Sequence, residues 1–278
     1  MTGELILLLD RREMQVRLEG RALRIEQPEG AIERVPLGVL GSVIVHGSPL
    51  VACDVWRALA ERNIPAVLLP ARGQGVSACL CGGLSNTIRL RRRQHRAGGE
   101  KEARLKVARC LVGLKLQAQR RLLDHLTRTL PTPSELPGFP AEGAAGPYQI
   151  IERNLALLAG APDTATLMGL EGTVAAAWWN WLGAVLPKHW RFAGRNRRPP
   201  RDPVNALLSL SYTLLGVEML KQVQEDGLDP ALGFLHGIVP GRESLVLDLI
   251  EPLRPSADAF VLALLGRELS PRHFTFSH

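Results

Sequence analysis

The sequence has little cysteine, and none of it is arranged to bind zinc. Its four cysteines, Cys53, Cys79, Cys81 and Cys110, form no CxxC pair. That gives no zinc site and fits a reducing, cytoplasmic compartment. Cys79 and Cys81 are two apart, as small apolar residues on one face of a strand would be. A secretion signal is also missing, because the apolar run at residues 5–9 is too short and ends at Asp10. The longest apolar segment, residues 165–186, is interrupted by Glu171 and Asn180. It reads as a buried helix and not as a membrane span. There is no internal repeat. Acidic residues are in deficit, 27 against 34 Lys and Arg, which leaves a net charge of +7 and a pI near 9.7. Such a balance favours an anionic partner, nucleic acid first, although charge alone does not separate DNA from RNA or a membrane surface.

What is present allows a large core, since 46% of the 278 residues are apolar. Up to about residue 85 the chain reads as short strands: 5–9, 15–19, 23–25, 35–40, 42–47, 64–69 and 76–80. One helix, 49–62, interrupts them. Residues 82–87 look like a junction. Beyond it the periods lengthen to those of helices: 90–130 as one or two, then 149–158, 164–186, 202–227 and 256–265. Within 90–130, Leu105, Val107, Ala108, Leu111, Leu114 and Leu122 are the expected buried positions. A loop rich in proline and glycine fills 131–147. The expected class is α/β in the α+β sense. A small β-rich N-terminal domain (1–85) precedes an all-α catalytic domain (86–278).

Three acids and a histidine carry the chemistry. Asp248 and Glu251 stand at i, i+3 in an apolar stretch, 245–253, expected to form one helix with both on a shared face. His236 lies just upstream and can fold back onto that face. Glu171 sits mid-helix, with Gly169 and Gly172 leaving room for another helix. Carboxylates in such surroundings need a partner. One choice is pairing with Arg242 or Arg254; the other is a metal. One histidine and two or three carboxylates suit Mg²⁺ or Mn²⁺ better than structural Zn²⁺. The helix from 202 reads as apolar nearly all round and therefore central. Asn205, Ser209, Tyr212 and Gly216 form a polar stripe along it, expected either to line the same water-filled cleft or to hydrogen-bond to a neighbouring helix. Basic residues cluster at Arg89, Arg91, Arg92, Arg93, His95 and Arg96. A second cluster interleaves Lys188, Arg191, Arg195, Arg197, Arg198 and Arg201 with Trp190 and Phe192, as DNA-phosphate clamps with stacking residues do.

Four stretches resemble a known family. They are Leu170-Glu171-Gly172, the run 202–209 with Tyr212 beyond, the run 227–236 ending in Gly233-Phe234-Leu235-His236, and the run 247–255 from Leu247 to Pro255. Together they resemble the integrase of CRISPR spacer acquisition, Cas1. Where many relatives carry Asp, this chain has Glu251. The resemblance implies a metal held by Glu171, His236 and Glu251, with Asp248 nearby. It also implies a homodimer joined through the N-terminal domain and assembly with the small companion Cas2. The expected activity is metal-dependent insertion of short DNA fragments into a CRISPR array, by 3′-hydroxyl attack on a phosphodiester. Two rivals stand beside it: a metal-dependent nuclease of branched DNA that does not integrate, and a DNA-binding scaffold whose carboxylates are structural. If the acids hold a metal, removing one is expected to relieve repulsion in the metal-free protein.

Overall fold

A computed structural model describes residues 5–69, 78–80, 88–129, 146–196 and 199–274. The chain divides into two compact units. One comprises Met1–Leu90 with Val217–Leu228, and the other Arg91–Gly216 with Asp229–His278. The expected junction at 82–87, the loop at 131–145 and the pair Arg197 and Arg198 lie outside the described residues. So does Cys81, as does the side chain of Cys79.

The first unit holds two four-stranded sheets. In one, β1 (Leu5–Leu9), β5 (Leu40–Val45) and β7 (Ala66–Leu68) run parallel, and β8 (Ala78–Leu80) closes the order antiparallel. β5 is apolar and nearly all buried, as a central parallel strand must be. In the other, β4 (Ile32–Pro36), β3 (Ala22–Glu26) and β2 (Gln15–Glu19) form an antiparallel meander, and β6 (Leu50–Val51) pairs parallel to β2. Val16, Leu23 and Ile25 point inward and join Leu9, Val43, Val55 and Leu59 in one core. Leu50 and Val51 were expected in a helix. They are extended because Leu50 donates to Met14 O and Ala52 to Val16 O, and α1 (Cys53–Glu61) begins only afterwards.

The second unit is helical: α2 (Ile88–Gly99, entering from the first unit), α3 (Lys101–Thr129), α4 (Pro147–Leu157), α5 (Thr164–Val185), most of α6 (Pro203–Glu225), α7 (Ser244–Ile250) and α8 (Arg254–Arg267). Its core joins Ala108, Val112, Leu116, Leu167, Trp178, Leu182, Leu208 and Val261. Asp163 caps α5 by accepting from Thr166 N at 2.8 Å, and the Asp202 carboxylate accepts from Asn205 N at 2.8 Å. In the first unit α6 ends in a C-cap: Gly227 takes φ 73° and Leu228 N donates to Val223 O.

Several expectations fail here for identifiable reasons. The buried stripe of α3 is Ala108, Leu111, Val112, Lys115, Leu116, Gln119, Leu122 and Leu123, a 3–4 repeat. Leu114 falls beside that stripe and is 44% exposed, while Lys115 points inward. α6 is not encased, since Leu210 is 43% exposed. A Cβ at Gly169 or Gly172 would meet nothing within 4 Å, so among the described residues no second helix approaches those two glycines. The stretch 245–253 is not one helix. Pro252 has no N–H to give the carbonyl four residues back, and Glu251–Leu253 becomes a 3₁₀ turn between α7 and α8.

Candidate active site

The site is built from two carboxylate assemblies. The first centres on Asp248, which is fully buried in α7. Its Oδ2 accepts the backbone N–H of Phe234 at 2.5 Å and of Leu235 at 2.8 Å. Its Oδ1 accepts His236 N at 2.9 Å and lies 2.7 Å from His236 Nδ1. The loop therefore wraps a single carboxylate. Gly233 makes that possible, because a Cβ there would stand 2.9 Å from Asp248 Oδ2, His236 O and Ser244 C. Other side chains fasten the same loop. Gln94 of α2 donates to Asp229 O and Leu232 O and accepts from Asp229 N, and Arg104 of α3 donates to Phe234 O at 2.9 Å. A carboxylate oxygen accepts, so His236 Nδ1 donates to Asp248, and in the neutral imidazole Nε2 is then the nitrogen that carries the lone pair.

The second assembly centres on Lys115. Its ammonium lies between Glu171 of α5 and Glu251, donating to Glu171 Oε1 and, at 2.5 Å, to Glu251 Oε2. Arg254 forms an ion pair with the other oxygen, Glu251 Oε1, at 3.0 Å. Burial pushes the Glu251 carboxyl up, but Lys115 and Arg254 outweigh it and hold it below the ordinary value, with a smaller contribution from His236. Asp248 and Glu251, three residues apart, thus serve different partners. The reading that paired Glu251 with Arg254 and the one that folded His236 back onto Asp248 both describe part of the structure.

The polar stripe of α6 finds partners within the protein, and Arg254 links Tyr212 to Glu251. Asn205 is fully buried; it accepts from Arg195 at 2.8 Å and from Asn196 N at 3.0 Å, and donates to Gly194 O and Asp202. Ser209 accepts from Arg195 at 3.1 Å. Tyr212 donates to the buried Asp258, and Arg254 lies over the Tyr212 ring, 4.7 Å from its centroid. Burial, first of all, raises the Tyr212 phenol; it also lifts the Asp258 carboxyl to about 6. Protein groups thus engage the polar atoms of Asn205, Ser209 and Tyr212.

The second basic segment also differs from expectation. Trp190 and Phe192 are buried, packed edge-on to Phe274 and Trp179 respectively, so neither is a stacking platform. Arg195 is tied to α6, whereas Lys188 and Arg191 are exposed. On α2, Arg92, Arg93 and Arg96 are exposed as well.

Sequence reasoning missed Lys115, Gln94, Arg104 and Asp258. Lys115 had a signal: it stands four residues after Leu111 and three after Val112, on the buried stripe of α3.

A family model for CRISPR associated protein Cas1 matches residues 7–278. The chain belongs to the Cas1 family. It is 38% identical over 242 residues to the CRISPR-associated endonuclease Cas1 2 of Rhodospirillum rubrum, which covers 84% of this chain and 68% of that protein. It is 30% identical over 268 residues to the Cas1 1 endonuclease of Thermodesulfovibrio yellowstonii, covering 96% of this chain and 81% of that one. Among solved structures, a casposase bound to its integration product superposes with TM-score 0.82 at 25% identity, over 98% of this chain and 76% of the other. A Cas1 protein from Thermotoga maritima gives TM-score 0.81 at 21% identity, over 99% and 83%, a likeness of fold. An α+β architecture with a small strand-rich N-terminal part is what these relatives share with the chain.

Among the described residues no three His, Cys, Asp or Glu side chains are grouped closely enough to hold a metal ion as they stand. Yet two carboxylate oxygens, Glu171 Oε1 and Glu251 Oε2, converge on one positive centre, the Lys115 nitrogen. A histidine with its Nδ1 fixed by a carboxylate is a familiar form of metal-ligating imidazole. The donor set is hard and mostly oxygen. Two carboxylates and an imidazole are donor types that suit Mg²⁺ or Mn²⁺.

Proposed function

We propose that the protein is a metal-dependent DNA integrase and endonuclease of CRISPR spacer acquisition. The observation that carries this is the convergence of Glu171 and Glu251 on one cation, next to a histidine held by a buried aspartate. Family membership and the likeness to a casposase bound to its integration product support it. Glu171, Glu251 and His236 would hold Mg²⁺ or Mn²⁺, which when bound would polarise a phosphodiester and lower the pKa of an attacking hydroxyl. Asp248 would keep the His236 ring oriented, with Nδ1 toward the carboxylate and Nε2 as the nitrogen available to a metal. Arg254 would keep Glu251 ionised. In the transfer, the 3′ oxygen of the incoming strand bonds to phosphorus as the P–O bond to the target strand's 3′ oxygen breaks. The attacking hydroxyl loses its proton and the departing oxygen gains one. One phosphodiester replaces another, so no energy-carrying cofactor is needed.

Exposed Lys188 and Arg191, with Arg92, Arg93 and Arg96, would contact DNA phosphates. Strand β1 is a sheet edge that exposes Leu5, Ile6 and Leu8, a surface suited to pairing with a second copy. Cas2 would be the heterologous partner, as in a solved Cas6-RT-Cas1–Cas2 complex that superposes with TM-score 0.77. A cytoplasmic location follows from the substrate.

The test is strand joining on branched DNA with and without Mn²⁺, for wild type and for E171Q, H236A and E251Q. Each variant should lose joining at least a hundredfold and keep DNA binding. A scaffold with structural acids remains the second reading, favoured by the ion pairing of both glutamates. It predicts no joining by the wild type in any metal.

A further inference from the structure

The contact that the proposed metal site does not explain is Lys115. It is a lysine with 8% of its surface exposed, on a helix whose other buried positions are apolar except Gln119. Its ammonium engages the same oxygens, Glu171 Oε1 and Glu251 Oε2, that a divalent cation would take. Two glutamates, Lys115 and Arg254 already balance, two negative charges against two positive. Adding a dication beside the ammonium would bring like charges within a few ångströms in a weakly screened setting. The two cations therefore compete for one position.

We propose that Lys115 is a positioning residue whose ammonium is the resident counter-ion of the acid pair, and that divalent metal loads by exchanging with it. This rests on the metal reading above. In the metal-free protein the ammonium holds Glu171 and Glu251 at the spacing one cation needs. On loading it swings away from the shared position, its long stem allowing that without moving α3. The site is thereby kept assembled before metal arrives, at the expense of metal affinity.

Mn²⁺ binding by calorimetry, together with thermal melting, tests this on the full-length chain. K115M should lower the melting temperature without metal, yet bind Mn²⁺ at least tenfold more tightly than wild type. Its melting point should therefore rise more on adding Mn²⁺. K115R, which keeps the charge, should retain weak Mn²⁺ binding. Where K115M does not fold, amine acetylation of the wild type read by mass spectrometry supplies the test. Modification of Lys115 should increase severalfold at saturating Mn²⁺. Intact Mn²⁺ binding by wild type with equal or weaker binding by K115M, or with unchanged Lys115 labelling, would overturn the exchange alone. No Mn²⁺ binding by wild type or K115M would overturn the metal reading and the exchange with it.

Discussion

Asp248 and Glu251 are three residues apart and both buried, yet they are satisfied in opposite ways. Asp248 is surrounded by backbone: three N–H groups and one imidazole nitrogen point at its oxygens. Glu251 is surrounded by side-chain cations, Lys115 on one oxygen and Arg254 on the other. Backbone donors are fixed in place by the chain and do not exchange. A lysine on a flexible stem can be replaced by another cation. The difference separates a carboxylate that shapes the loop from one held by exchangeable cations, and it falls beside Pro252, where α7 ends.

The largest expected effect falls on the shaping acid. D248N cannot accept from three N–H groups and the imidazole at once, and one amide N–H₂ would face donors. Urea unfolding should show a loss of about 3–5 kcal/mol, which Mn²⁺ does not restore. A loss within error of zero would erase the distinction between the two acids.

A third buried acid sharpens it. Asp258 has a carboxyl raised by burial from 3.8 to about 6. The folded state therefore holds this proton more tightly than the unfolded state. Stability from this group is full below pH 3.8 and falls as pH rises through about 6. The loss amounts to about 3 kcal/mol by linkage. D258N keeps an acceptor for Tyr212 but cannot ionise. Its stability relative to wild type should climb between about pH 4 and 7, and parallel profiles would contradict the assignment.

The expectation that removing an acid relieves repulsion is reversed by Lys115. E251Q would leave Arg254 and half of the ammonium's bonding uncompensated, so it should cost about 2 kcal/mol without metal. The double variant K115M/E251Q should cost less than the sum of the singles, a coupling that a double-mutant cycle measures. Additive costs would deny the bridge.

The smallest effect concerns the surface. K188A/R191A should flatten the salt dependence of DNA binding, by roughly one unit of slope for each DNA phosphate no longer neutralised. R195A should behave differently and lower stability, because Arg195 is tied to Asn205 and Ser209.

Much of this fold is legible in local pattern. Alternation marks β2 and β3, and Asp202-Pro203 and Gly227 mark the start and end of α6. The four acid and histidine positions stand out because polar residues in apolar runs are costly. Of their partners Arg254 was legible and Lys115 was not. Lys115 lies in a helix rich in Lys and Arg, where a cation ordinarily faces water, and Leu114 beside it takes the expected place in the core. Only the 3–4 stripe, traced residue by residue, puts Lys115 inside. Trp190 and Phe192 misled for a similar reason. Spacing among arginines resembles a clamp, but an aromatic ring is more stable in the core. The break of the helix at Glu251 was available from Pro252 and was outweighed by the apolar run.

One measurement tests the central claim most directly: strand joining by E171Q on branched DNA in Mn²⁺, with DNA affinity determined on the same preparation. The account predicts joining reduced at least a hundredfold with affinity within twofold of wild type. Joining near the wild-type rate would contradict it.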